Sequence, residues 1–126
     1  MIKKKIKLIA IGGNRLNELY PFKSLIELSN KYNVELFILT ENVHLKKAVS
    51  FENLNFKNFL ENLEIKYFKI KNYKHLNQTI KKIGYDSKTF ILLLNSIFFI
   101  KDDIISPANQ NIFNLHIGKL PEQRGA

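Results

Sequence analysis

"FILLL", Phe90–Leu94, is five apolar residues in a row with no polar alternation. A strand with one face in water alternates; a strand buried on both faces, as in a parallel sheet, does not need to. The longer run "FILLLNSIFFI", Phe90–Ile100, is broken by Asn95 and Ser96. It falls well short of the roughly 20 residues that a membrane-spanning helix needs. A buried parallel strand is therefore the expected reading, and it calls for helical crossovers on either side.

Those crossovers are visible in both directions. "IKLIAIGG", Ile6–Gly13, is a short apolar run closed by two glycines, as a buried first strand would be. Phe22, Leu25, Ile26, Ser29 and Tyr32 recur at helical spacing, with Pro21 placed to suit a first turn. "VELFILT", Val34–Thr40, is β-rich, and the segment after it is polar. Phe56, Phe59, Leu60 and Leu63 then fall at i, i+3, i+4 and i+7 of an amphipathic helix. "EIKYFKI", Glu64–Ile70, alternates like a strand. Tyr73, Leu76, Ile80 and Ile83 share the face of a further helix that Gly84 stops. Beyond Leu94 come a helical turn at Asp102–Ser106 and a fifth strand at Asn111–His116. Strand and helix alternate throughout, which predicts an α/β fold: a Rossmann-like parallel sheet with helices on both faces.

Composition narrows the function. The 126 residues suit one domain with a real core, and 45% hydrophobic content is that of a globular protein. With no cysteine, disulfides and thiolate metal sites are excluded, and a cytoplasmic location fits. "MIKKKIKLIAIGG" starts basic and turns apolar, but Leu8–Ile11 is too short for a signal-peptide core. No membrane partner is expected. The net charge of +9 is carried by lysine in 18 of 20 basic residues, whereas phosphate and groove recognition favours arginine. A solvated lysine coat accounts for it; a polyanion-binding surface is the alternative.

Ligands of such sheets sit at the carboxyl ends of the strands. The loops "GGNRLN", "NSIFFI" and the terminal "LHIGKLPEQRGA" open there. Asn114 and His116 lie two apart at the end of the fifth strand, so the period of two points them the same way. An amide that donates to an oxyanion and an imidazole that moves a proton can together act on a carbonyl. Capping of the strand end is the structural alternative. His44 and His75, flanked by lysine, read as surface residues, and no His/Asp/Glu group has metal spacing. "GGNRLN" is neither a dinucleotide fingerprint nor a P-loop. Its glycines either admit a phosphate or only make the turn.

The terminal segment resembles the signature of the folate-dependent formyltransferases: Asn-x-His, then a loop S-L-L-P-x-[YF]-[RK]-G. Here Asn114, Leu115 and His116 are followed by Lys119, Leu120, Pro121 and Arg124-Gly125 at matching spacing. Gly118 stands where serine is usual and Gln123 where an aromatic is usual. The match is sharp over the last fifteen residues and general over the rest.

The resemblance implies 10-formyltetrahydrofolate as formyl donor, Asn114 as oxyanion donor and His116 as general acid/base. It implies that Phe98 and Ile100 present main-chain groups to the pterin and wall its pocket; plain core packing is the alternative. It places the acceptor's phosphate at "GGNRLN". By the same resemblance residues 1–126 are the amino-terminal part of a formyltransferase catalytic domain. They end before an orienting aspartate and the last strands of the sheet, so the isolated chain is expected to be marginally stable and nearly inactive. The loop "LNSIFFI", with Asn95-Ser96, looks closer to enzymes acting on a nucleotide-linked amino sugar (nucleotide sugar) than to those acting on methionyl-tRNA or glycinamide ribonucleotide, although tRNA stays open as a partner. The other readings are an inactive folate-pocket remnant and a flavodoxin-like binding module with no chemistry.

Overall fold

The computed structural model describes residues 6–12, 16–46, 55–94, 100–108 and 111–115. Its elements are β1 (Ile6–Gly12), α1 (Leu16–Lys31), β2 (Val34–Thr40), α2 (Asn42–Leu45), α3 (Phe56–Asn62), β3 (Lys66–Lys69), α4 (Tyr73–Ile83), β4 (Thr89–Leu94), α5 (Asp102–Ala108) and β5 (Ile112–Leu115). The five strands form one sheet in the order β3-β2-β1-β4-β5. Every pairing is parallel.

The central strands are the apolar runs, as burial on both faces requires. Ile9, Ala10 and Ile11 of β1 and Ile38 and Leu39 of β2 are buried on alternate faces. One face is covered by α1, α2 and α3, where Ile26, Leu45, Phe56, Phe59 and Leu60 meet Ala10, Leu36, Ile38 and Leu94. The opposite face is covered by α4 and α5, where Leu76, Ile80, Ile104 and Ala108 meet Ile9, Ile11, Phe37, Leu39 and Ile91. This division follows from handedness. β1 to β2 steps one way along the sheet, and β3 to β4 and β4 to β5 step the other way. Right-handed crossovers therefore place their helices on opposite sides.

Helix ends are set by short polar residues. Asn55 caps α3 by accepting from the Asn58 amide at 2.8 Å, and Asn72 caps α4 by accepting from the His75 amide at 2.8 Å. Gly84 ends α4 at φ 94°, a conformation that glycine adopts without strain. The Lys7 ammonium donates to the Ile83 carbonyl at 2.9 Å, placing a cation at that helix's carboxyl end.

Several boundaries differ from expectation. α1 begins at Leu16, so Pro21 lies within the helix rather than in its first turn, and Tyr32 falls past its end, 57% exposed. Leu63 is 43% exposed rather than part of the α3 face, because the helix stops at Asn62 and the chain turns through Glu64 at φ 56°. α5 continues through Pro107 to Ala108; proline here removes one amide near the helix end and keeps a helical φ. Among the described residues no helix is long and apolar enough to cross a membrane.

Candidate functional site

The carboxyl edge of the sheet is where connections diverge. After β1 the chain turns to the α1 face, and after the adjacent β4 it turns to the α5 face. Neighbouring strands whose exits part in this way leave a crevice between them, the usual ligand position in open α/β sheets. Gly12 of β1 pairs with Leu94 of β4 at its rim. A Cβ on Gly12 would lie 2.3 Å from the Leu94 carbonyl oxygen and 2.9 Å from its Cβ. This glycine is required by the close approach of two strands. For the first Gly of "GGNRLN" this is a packing role that neither the phosphate nor the turn reading had named; Gly13, Asn14 and Arg15 lie outside the described residues.

Asn114 sits on β5 one residue before its end, in register with Leu93 of β4, which is itself in register with Ile11 of β1. This row lies on the α4/α5 face, where Ile112, two residues earlier, packs on the core. Asn114 is exposed, and its side-chain amide has no hydrogen-bond partner among the described residues. An amide in that position, on the strand beside β4, has donors of the kind a ligand's carbonyl oxygen accepts. His116 and Phe98 lie outside the described residues. Ile100 is half-buried and packs against the core cluster beneath α4 and α5, so its side chain has a structural task. A role toward a ligand would fall to its main chain.

His44 departs from expectation. It is buried, with 8% of its surface exposed, and its Nε2 lies 3.6 Å from the Glu41 carboxylate. The polar sequence around it hides a single helical turn, α2, whose inner side is His44 and Leu45. His75 is half-buried, and its Nδ1 accepts from the Lys71 amide at 3.1 Å.

A polar cluster between α4 and α5 was not apparent in the sequence. The Tyr73 hydroxyl donates to Asp103 Oδ1 at 2.5 Å and accepts from the Lys101 amide at 2.9 Å. Asn77 donates to Asp103 Oδ2 at 2.9 Å. Burial, then the Asp103 hydrogen bond, raises the Tyr73 phenol above its ordinary value. Burial, with the charges of Tyr73 and Asp103 behind it, raises Tyr85 to about 12. These groups tie α5, the helix of the β4–β5 crossover, to α4. Among the described residues no three His, Asp or Glu side chains converge as metal ligands would.

No protein-family model matches the chain, and no curated protein does. Solved structures do. A formyltetrahydrofolate deformylase from Pseudomonas syringae pv. tomato superposes with a TM-score of 0.68 at 12% identity, over 98% of this chain and 39% of that one. A formyltetrahydrofolate deformylase from Pseudomonas putida gives 0.65 at 13% identity, over 98% and 42%. Glycinamide ribonucleotide transformylase 1 from Symbiobacterium toebii gives 0.61 at 10% identity, over 96% and 56%. The chain thus spans about half or less of the length of the structures it matches. At such identities the likeness establishes architecture: the chain has the α/β fold seen in these formyltetrahydrofolate deformylases and in this glycinamide ribonucleotide transformylase, a fold that agrees with the resemblance drawn from the sequence.

Proposed function

We propose that this chain forms the amino-terminal part of a cytoplasmic catalytic domain that transfers the formyl group of 10-formyltetrahydrofolate to a primary amine. The observation that carries the reading is a conjunction. Asn114, the first residue of the Asn-x-His motif that precedes the L-P-x-x-R-G segment in sequence, lies on β5 of a sheet whose fold is like that of a glycinamide ribonucleotide transformylase and two formyltetrahydrofolate deformylases.

The acceptor nitrogen attacks the formyl carbon and forms a C–N bond, while the carbonyl electrons move to oxygen. The Asn114 amide donates to that oxyanion. His116 takes the proton from the attacking amine and returns one to the folate N10 as the C–N10 bond breaks. The products are the N-formyl amine and tetrahydrofolate. The exposure of Asn114 and the lack of a partner for its amide among the described residues support its part; the part of His116 rests on the motif. For the acceptor, the Asn95-Ser96 loop favours a nucleotide-linked amino sugar over glycinamide ribonucleotide or methionyl-tRNA.

A second reading has a specific support: two of the similar structures are deformylases. With water in place of the amine, the same steps release formate and tetrahydrofolate.

The test is incubation with formyl-labelled 10-formyltetrahydrofolate, with and without each amine, following where the label goes. Label on an amine supports transfer, and label in formate without any amine supports hydrolysis. His116→Ala should lower either rate by about 10²-fold or more. No label on any amine and none in formate, or a rate unchanged in His116→Ala, would defeat the proposal.

A further inference from the structure

α5 takes the partner for its first amide from another helix. The Lys101 carbonyl accepts from the Ile104 and Ile105 amides, both at 3.0 Å, so Lys101 stands in the N-cap position. In a capping box, a Glu or Gln at the third helical position reaches back to the amide of the N-cap residue. The third position here is Ile104, which is buried and has no polar group to offer. The Lys101 amide donates instead to the Tyr73 hydroxyl of α4, at 2.9 Å.

That hydroxyl is itself held. It donates to Asp103 Oδ1 at 2.5 Å, and Asn77 donates to the other carboxylate oxygen at 2.9 Å. The Lys101 ammonium stands 5.1 Å from the centre of the Tyr73 ring. Tyr73 is the first residue of α4, where the chain leaving β3 enters its helix, so the bond lies toward the carboxyl edge of the sheet. It fixes the far end of the connection that leaves β4 beside the crevice.

A trans peptide is planar, and its carbonyl points opposite to its N–H. The Lys101 amide and the Ile100 carbonyl belong to one such plane, so holding the amide on Tyr73 turns the carbonyl away from that hydroxyl. The Ile100 side chain, packed on the core, steadies the same residue. Ile100 is half-buried, and among the described residues no group donates to its carbonyl. A backbone acceptor in such surroundings calls for a donor.

We infer that Tyr73 is a positioning residue for ligand binding at the crevice: through the Lys101 amide it aims the Ile100 carbonyl, which accepts from an N–H of the bound heterocycle. The identity of that heterocycle, the pterin ring of the folate, rests on the formyl-transfer reading; the arrangement around Tyr73 does not.

The test is binding of tetrahydrofolate, which carries the ring and no formyl group, to the 126-residue chain. It is followed by calorimetry and by the carbonyl carbon resonance of Ile100. The parent should bind with a saturable shift of that resonance. Tyr73→Phe keeps the ring and loses the hydroxyl, and it should weaken binding by about tenfold, as loss of one well-aimed hydrogen bond would. Asn77→Ala loosens the same α4–α5 tie at Asp103 without touching the Lys101 amide, and its affinity should stay within about twofold of the parent. Melting temperatures of both variants put their structural losses on one scale. Tyr73→Phe binding as tightly as the parent, or Asn77→Ala weakening binding as much as Tyr73→Phe, would make Tyr73 a structural tie and overturn the inference. Binding that leaves the Ile100 resonance unmoved would overturn it as well. A parent that does not bind tetrahydrofolate would defeat the formyl-transfer reading and this ligand assignment together.

Discussion

Gly12 and Leu94 are register partners on β1 and β4, and they stand so close that the space for a Cβ on Gly12 is taken by the Leu94 carbonyl oxygen, 2.3 Å away. Backbone, not a flexible side-chain tip, fills the gap. Gly12→Ala must therefore push the two central strands apart at the mouth of the crevice. The expected cost is about 1–3 kcal/mol, as for other overpacked sites. A urea melt showing the variant as stable as the parent would contradict this reading.

Asn114 offers the complementary case. It is exposed, and no described residue depends on its amide, so Asn114→Ala should leave the unfolding midpoint within about 0.5 kcal/mol of the parent. If the amide stabilises an oxyanion, formyl release should fall by about 10²–10³-fold. Parallel measurement of melting and turnover separates the two: a large loss of stability would mean that Asn114 is a structural cap.

Asp103 joins α5 to α4 through Tyr73 and Asn77. Asp103→Ala removes both bonds and leaves the Tyr73 hydroxyl without its acceptor. A loss of about 1–3 kcal/mol is expected. Hydrogen exchange should locate it, with amides of α5 losing protection before those of β1 and β2. Uniform loss of protection over the whole sheet would mean that the cluster does more than hold α5.

The raised phenols make stability fall in alkali. In the unfolded chain Tyr85 ionises near its ordinary value of 10; in the fold it stays neutral until about 12. The native state therefore holds the proton over an interval in which the unfolded state has released it. Stability that is intact below pH 10 declines as pH rises toward 12. Tyr73 shifts in the same direction, and Tyr67, hydrogen-bonded to Glu61 at 2.6 Å, reaches about 12 as well. Tyr85→Phe should make the alkaline decline shallower between pH 10 and 12. An identical slope in parent and variant would remove Tyr85 from the account.

The parts of the fold that sequence revealed are those whose chemistry repeats along the chain. β2 runs from Val34 to Thr40, as its β-rich composition indicated, and Leu76 and Ile80 face the core as their spacing required. α2 was hidden because one helical turn is too short to show a period, and its buried members include a histidine. On the functional side, only the position of Asn114 near a strand end was legible, because the apolar run of β5 marks that end in the sequence. The bond between Tyr73 and Lys101 was not: its two members are 28 residues apart, and only the packing of α4 and α5 on one face of the sheet brings them together.

β1, the middle strand, acquires its two neighbours at very different moments. β2 follows it after a single helix, but β4 is synthesised only once β2, α3, β3 and α4 have all emerged. Until then one flank of Ile6–Gly12 keeps its amides and carbonyls open, and that flank is apolar on both sides. Lysines at positions 3, 4, 5 and 7 flank and enter this stretch, as the charged residues that flank aggregation-prone apolar strands in natural sequences do.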